Sequence, residues 1–463
     1  MGRATDDTQQ QRGGCLAAVR EMLWAPKAMY AISSGGQSAL VNFLPVFYEH
    51  TAQFTKIQIS VLQTLPCICS IVAPPFWGAI ADAIRNQRLV HIMCIVTGAL
   101  LLFSIQYARS SFALTVLFVV LGNFQSAPAG SLLDHAVLDL LSKVGGEYGK
   151  QRLFGAVGYG AGAYISGLLV AAAGISWAFN LNLILMLTSL LVLRAIPVVK
   201  HGHDDGYAIL ESADVDGIQK AQANAPPTFM EGLRMLGKKA DVLVLLGVVF
   251  LMGLMYGVLS SFLTLNLYNL SGNNSQIIGI AIMCETSSEL PAFFFSQVII
   301  RKLGTVNVLL LSIAGYALRI SYLAIMTNPW GAIPFEFLHG LTFGIAWAAC
   351  TQYIYTAAPK GCEGTVMGIL NAVQNGLGRG AGTLVGGYFY QNYGAPTMWL
   401  VTDLGVPLSL LGVAVFAYLK NADELVIEEE LLESAELFSP HLADPQGLKS
   451  PRHAPPSYDR VDG

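Results

Sequence analysis

An all-α membrane protein of twelve transmembrane helices, arranged as two parallel six-helix repeats, is the fold class that this sequence predicts. Three observations lead there. Charged residues make up only 12% of the chain, against 54% hydrophobic. Apolar runs of about 20 residues, each long enough for a ~30 Å hydrocarbon core, recur along its whole length. A register of glycines returns 220 residues after its first appearance. A soluble domain averages about 25% charged residues, so the solvent for much of this chain is lipid. In lipid the backbone must satisfy its own hydrogen bonds, which makes the apolar runs helices.

The elements follow in order. Residues 1–26 are a polar cytoplasmic segment without the pattern of a signal peptide, and the run that follows is too long for a signal h-region. Spans one to six are expected at 27–48, 55–82, 89–108, 112–141, 150–172 and 175–195, forming an N-terminal half over 27–196. A polar cytoplasmic linker covers 197–240. Spans seven to twelve are expected at 241–266, 275–300, 305–326, 329–357, 363–390 and 395–419, forming a C-terminal half over 241–419. Residues 420–463 read as a disordered cytoplasmic tail, acidic at its start and then Pro-rich.

Orientation follows from the cations. With both termini in the cytoplasm, all but four of the 26 Lys and Arg residues fall in cytoplasmic segments or at their edges. Lys56 and Arg109 fall outside, and Arg319 and Arg379 within helices. The same topology places the sequons at Asn269 and Asn273 on the outer side, as glycosylation candidates.

Composition also excludes. A net charge of −4 with no basic tract leaves no nucleic-acid partner. The seven cysteines lack a CxxC spacing, which argues for small buried residues rather than a metal site or disulfide framework. No HExxH or GxSxG motif is present, so neither an enzyme nor a cofactor is expected.

The repeat is specific in register. Gly158, Gly160, Gly162, Gly167 and Gly174 return as Gly378, Gly380, Gly382, Gly387 and Gly394. Pro74 is followed eleven residues later by Arg85, and Pro291 eleven residues later by Lys302. Six spans per repeat make the repeats parallel, with a substrate site expected between them near the midplane. Small residues at these spacings let helices approach closely, so the glycines are scaffold.

Ionisable side chains inside apolar helices cost roughly 2.5–3.5 kcal/mol each on insertion scales and are functional candidates by default. Glu285 and Glu289, four apart, share one face of span eight, and Glu336 and His339, three apart, share one face of span ten. Arg319 sits mid-span in nine, Asp134 within four, and Arg152 begins five. Burial favours a neutral carboxyl and a nearby guanidinium favours a charged one, so moving Arg319 relative to Glu336 or Glu289 would switch proton affinity with conformation. An imidazole titrates near neutrality, which lets His339 relay or gate the proton. The proton-coupling candidates are therefore Glu336, His339, Arg319, Glu289, Glu285 and Asp134, with Glu336 preferred as carrier. The competing reading is static ion pairs that fix packing; it weighs most on Glu285, Asp139 and Arg379. Substrate contacts are expected from Arg152, from Asn371 and Gln374 on one face of span eleven, from Phe343 and Trp347, which continue the face of Glu336 and His339, and from Asn42 and Tyr30 in span one; aromatics can stack on a sugar, base or aromatic acid.

Gly78, Asp82, Arg85 and Arg88 resemble the major facilitator signature between spans two and three, with Ala83 where a basic residue is usual. Ser131–Asp134, Tyr148–Gly155, Glu289–Phe295 and Glu336–Gly344 sharpen the match. Over roughly residues 27–420 the chain resembles the lactose-permease-related branch of the major facilitator superfamily. It is similar there to the group that holds major facilitator superfamily domain-containing protein six and bacterial aromatic-acid permeases. The resemblance implies an inner gate latched by Asp82 with Arg85 and Arg88. It also implies that Arg319, His339 with Glu336, Glu289, Asp134 and Arg152 stand where lactose permease has its functional charges. Three departures weaken the transfer: Glu precedes His in span ten, span seven lacks that permease's Asp pair, and span eleven has only Arg379 where that permease has a Lys. Galactoside specificity does not carry over. The implied activity is alternating-access, proton-coupled symport of a small organic solute (saccharide, nucleoside or aromatic acid) by a monomer in the bilayer. A non-transporting receptor on the same scaffold is the alternative. Pro455, Pro456 and Tyr458 resemble the PPxY ligand of WW domains, which would make a WW-domain protein a partner of the tail.

Overall fold

The computed structural model describes residues 23–84, 86–145, 147–196, 237, 239–358 and 363–437. Arg85, nearly all of the linker, and Pro455, Pro456 and Tyr458 lie outside the described residues. Every regular element among the described residues is helical. Nine stretches among them are long and apolar enough to cross a membrane.

The main helices are α1 (Trp24–Val41), α2 (Lys56–Ile84), α3 (Gln87–Ser104), α4 (Phe112–Ser126), α5 (Pro128–Val144), α6 (Tyr148–Ala173) and α7 (Ser176–Ala195). After the linker come α8 (Ala240–Leu270), α9 (Gln276–Ile325), α10 (Ala346–Ala357), α11 (Glu363–Asn371), α12 (Arg379–Asp403) and α13 (Gly405–Leu437). The chain forms two compact units, Met1–Phe416 and Ala417–Gly463; the second carries the C-terminal part of α13.

Local sequence explains the element ends. Asn86 caps α3 by accepting from the Leu89 N–H, and Ser111 caps α4 by accepting from the Leu114 N–H, each satisfying an orphan donor of a first turn. Within α9, Gly304 takes φ 76°, ψ 160°, and within α12, Gly394 takes φ 84°, ψ 172°. A side chain would strain both backbones, so each glycine permits a sharp break in an otherwise continuous helix. Three stretches are π-helical: Phe47–Thr51, Gly340–Ile345 and Ala372–Gly378.

Glycines set the closest approaches. A Cβ on Gly158 would overlap the Ala31 backbone, and one on Gly162 the Gly35 backbone, so α6 lies directly against α1. The same seam recurs 220 residues later: Cβ atoms on Gly378 and Gly382 would meet the backbones of Phe250 and Leu254, bringing α12 and the turn before it against α8. The segments before and after the linker meet along α6 with α9 and along α2 with α12. Ser275 Oγ donates to the Gly167 carbonyl at 3.1 Å. At the same end, the Lys56 N–H donates to Gln391 Oε1 at 2.8 Å, and Asn269 bonds Glu49 at 3.1 Å and His50 at 2.7 Å. Lys56 also pairs with Glu49 and lies over the Tyr390 ring.

Candidate functional site

The charged side chains of α9 and of the turns before α10 converge on Arg319. Its Nη2 donates to Glu285 Oε1 at 2.9 Å and to Glu336 Oε2 at 2.5 Å. Its Nη1 lies 3.1 Å from His339 Nδ1 and donates to Thr342 Oγ1 at 3.3 Å. His339 Nε2 stands 2.9 Å from Glu289 Oε1. Five of the six proton-coupling candidates are thereby brought together.

Backbone design explains the convergence. Glu285 and Glu289 stack one turn apart on α9 before the Gly304 break, and Arg319 follows after it. Gly340 lets the neighbouring segment press onto α9, because a Cβ there would overlap the Ser288 carbonyl. The Gly340 N–H donates to Ser288 Oγ at 2.9 Å, and Ser312 Oγ donates to the Thr342 carbonyl at 2.8 Å. These bonds hold the π-helical turn Gly340–Ile345 against both parts of α9. Such turns are frequent at functional sites.

The contacts orient the imidazole. Arg319 only donates, so His339 Nδ1 accepts where the two meet; Nδ1 also stands 3.7 Å from Glu285 Oε1, and Nε2 faces Glu289. Three carboxylates thus gather round one guanidinium and one imidazole: Arg319 meets Glu285 and Glu336, and His339 meets Glu289. Exposure separates the carboxylates: the Glu285 and Glu289 side chains are 16% and 17% exposed, while Glu336 is 0%. Glu336 Oε1 and Arg319 Nε are buried without a hydrogen-bond partner. A buried carboxylate oxygen with no partner is costly.

Aromatic rings flank the cluster. Phe343 stacks with His339 at 5.5 Å, with Trp347 at 6.3 Å and with Tyr256 of α8 at 5.2 Å. Phe343 and Trp347 thus border the charges as their spacing suggests. Tyr256 is a site residue that the sequence reading missed, and no charge or motif marks it there. Arg379 lies 5.5 Å over the Tyr256 ring and donates from Nε to Ser260 Oγ at 3.1 Å.

Asp134 stands apart from the Arg319 cluster. It accepts from Tyr30 Oη at 2.5 Å and from Arg152 Nη1 at 2.6 Å; Arg152 Nη1 also bonds Tyr148 Oη at 2.6 Å. The pair is partly solvated, with Arg152 59% exposed. Asn42 Nδ2 donates to the Ser38 carbonyl and hydroxyl. Asn371 and Gln374 do not share a face: Gln374 is buried, while Asn371 is exposed and accepts from Asn375 at 2.8 Å. Arg88 donates to the Leu193 carbonyl at 2.7 Å. Asp82 lies on α2, and Arg85, its expected gate partner, is outside the described residues. Asn269 is tied to Glu49 and His50, whereas Asn273 is exposed with φ 69°. Among the described residues no group of three or more His, Cys, Asp or Glu could hold a metal ion.

Comparison with known proteins places this geometry. A family model described as the MFS_1 like family matches residues 23–401. The maltose permease of Geobacillus stearothermophilus is 27% identical over 398 residues, which cover 85% of this chain and 93% of that protein. The major facilitator superfamily domain-containing protein 6-like protein B of Xenopus laevis is 21% identical over 170 residues, 37% of this chain and 28% of that protein. The solved structure of the nucleoside transporter NupG superposes with TM-score 0.69 at 16% identity, covering 86% of this chain and 98% of that one.

Proposed function

The chain belongs to the MFS_1 like family of the major facilitator superfamily and is a multi-pass membrane transporter rather than an enzyme, and from that premise we propose that it is a proton-coupled symporter. Its cargo in this reading is a small organic solute of the saccharide, nucleoside or aromatic-acid class. The maltose permease relative supports the first of these and the nucleoside-transporter likeness accords with the second. The working architecture is twelve spans in two parallel six-helix repeats. The breaks at Gly304 and Gly394 support that count, since each divides one long helix into two spans, and so does the glycine seam recurring at an offset of 220 residues.

One observation carries the coupling: three carboxylates gather round a single buried guanidinium and one imidazole. Such a group holds more negative charge than its one cation offsets, and protons are the smallest way to complete it. A purely structural ion pair needs one carboxylate per guanidinium. Glu285 and Glu289, in reach of water, receive protons, and Glu336, paired with Arg319 behind them, takes one up when the halves rearrange. With both termini cytoplasmic, the polar contacts of Lys56, Glu49, Asn269 and Gln391 close the outer end. Arg152, Asp134 and Tyr30 belong to the solute side of the cavity, and Asp82 with Arg88 to the inner gate. The protein works as a monomer in the bilayer, with a WW-domain protein as partner of the tail.

The test is proton movement into proteoliposomes loaded with a pH dye, challenged with maltose, uridine and benzoate, in wild type and Glu336→Gln. A solute-dependent pH change that is lost in Glu336→Gln is expected. Solute accumulation with no pH change in wild type refutes proton coupling while leaving a carrier.

A further inference from the structure

The contacts that close one end of the chain divide by charge. Glu49 and His50 lie in the π-helical turn Phe47–Thr51, and Lys56 opens α2, so the ionisable groups of this contact that carry or can take a charge near neutral pH all precede the linker. The groups that meet them from beyond the linker are Tyr268 and Asn269 of α8 and Tyr390 and Gln391 of α12: two rings and two amides. Lys56 Nζ lies 4.4 Å from the centre of the Tyr390 ring, a cation on a neutral ring. His50 meets Tyr268 in a comparable way, with ring centres 5.1 Å apart and planes at 70°.

The order of the hydrogen bonds is fixed by the carboxylate. Glu49 Oε2 only accepts, so the Asn269 amide turns its Nδ2 to Glu49 at 3.1 Å and its Oδ1 to His50. His50 Nε2, 2.7 Å from that Oδ1, therefore donates. Among the described residues nothing bonds His50 Nδ1, and the residue is exposed. A second proton therefore goes to Nδ1 and leaves the Nε2 bond in place. It changes the contacts across the linker in one direction. An imidazolium donates to Asn269 more strongly than a neutral ring does, and it sets a second cation against a second tyrosine ring. The titratable groups facing His50 are Glu49 and Lys56 from before the linker and Tyr268 and Tyr390 from beyond it. Repulsion between His50 and Lys56 therefore arises on one side of the contact and does not push the two sides apart.

Imidazole is the side chain whose ordinary titration falls between about pH 5 and 8. We propose that His50 is a pH-sensitive latch on the outer gate: acid outside charges its imidazole and holds the Glu49–His50–Lys56 edge against Tyr268, Asn269 and Tyr390. This rests on the carrier reading above and on its cytoplasmic termini, and it adds a brake to that reading. Acid outside supplies the protons for symport, yet it slows the opening that admits them. Uptake then passes through a maximum as the external pH falls, where coupling alone would let it rise steadily.

The test uses the full chain in lipid nanodiscs, with spin labels carried on non-natural side chains at the exposed positions Ser110 and Gln276, one on each side of the contact. The ratio of short to long label distances is read at pH 8.0 and at pH 5.5. In wild type the ratio is expected to rise about threefold in acid, the size of an exposed charge contact. His50→Gln keeps a donor for Asn269 but cannot charge, and is expected to keep less than half of that rise. This variant separates the latch from the carboxylates of the Arg319 cluster, which also respond to acid. His50→Arg, charged throughout, is expected to favour the short distance at both pH values. A wild-type ratio that stays constant or falls in acid overturns the proposal, as does a His50→Gln variant that keeps half of the rise or more. Counterflow in proteoliposomes separates the two readings. Maltose or uridine counterflow without the His50-dependent rise removes the latch and leaves the carrier, whereas the rise without counterflow of any solute removes the carrier and leaves the latch.

Discussion

Replacing Arg319 by Gln removes the only guanidinium, among the described residues, within bonding distance of Glu285 and Glu336, together with its bond to His339. Arg319 is 1% exposed and Glu336 0%, so water cannot take over the lost contact. Removing one partner of a buried pair costs about 3–5 kcal/mol. Glu285, 16% exposed, is partly hydrated and adds less. At about 2 °C per kcal/mol, the low end for larger chains, the apparent Tm should fall by about 6–10 °C at pH 7.5. The sign of the pH effect follows from charge. Acid protonates the orphaned carboxylates and removes the penalty, so the gap to wild type should narrow at pH 5. Adding Glu336→Gln to Arg319→Gln deletes the buried anion that was left unpaired and should recover at least about 1 kcal/mol. The assay is thermal denaturation of the purified protein at both pH values. An Arg319→Gln variant that melts within 2 °C of wild type at pH 7.5 refutes the reasoning, as does a gap that widens in acid.

Two further outcomes are expected. Gly340→Ala places a methyl against the Ser288 carbonyl, forcing the π-helical turn off α9 at a cost of about 1–3 kcal/mol; solute-driven proton uptake should fall more than tenfold, and full activity would show that the turn tolerates displacement. In a glycosylating host, Asn273→Gln should abolish any glycan-dependent mobility shift and Asn269→Gln should leave it, because the Asn269 amide is already held by Glu49 and His50; the reverse pattern would contradict this assignment.

The charged cluster was legible in the sequence because helical spacing alone aligns Glu285 with Glu289 and Glu336 with His339, and charges so deep in apolar runs attract attention. Arg319 meets Glu336, one of the two carboxylates expected for it, whereas Glu289 meets His339 instead. Asp134 was grouped with them on charge alone. Its separation from the cluster depends on tertiary placement, where Tyr30 and Arg152 claim both its oxygens. Asn371 and Gln374 were paired by a 3.6-residue period. The π-helical turn from Ala372 widens the repeat, so residues three apart no longer stack. Nothing in a sequence window announces that turn. Tyr256 was invisible for a different reason: an aromatic in an apolar run carries no signal until another segment brings His339 and Arg379 to it.

The glycine seams bear on biogenesis. Gly158 and Gly162 close against residues 31 and 35, and Gly378 and Gly382 against residues 250 and 254, so each seam is completed by helices on its own side of the linker. The first seam can therefore close while the ribosome is still synthesising the second. The contacts of Lys56 with Gln391 and of Gly167 with Ser275, by contrast, need residues from both sides of the linker and can form only once the later part is made.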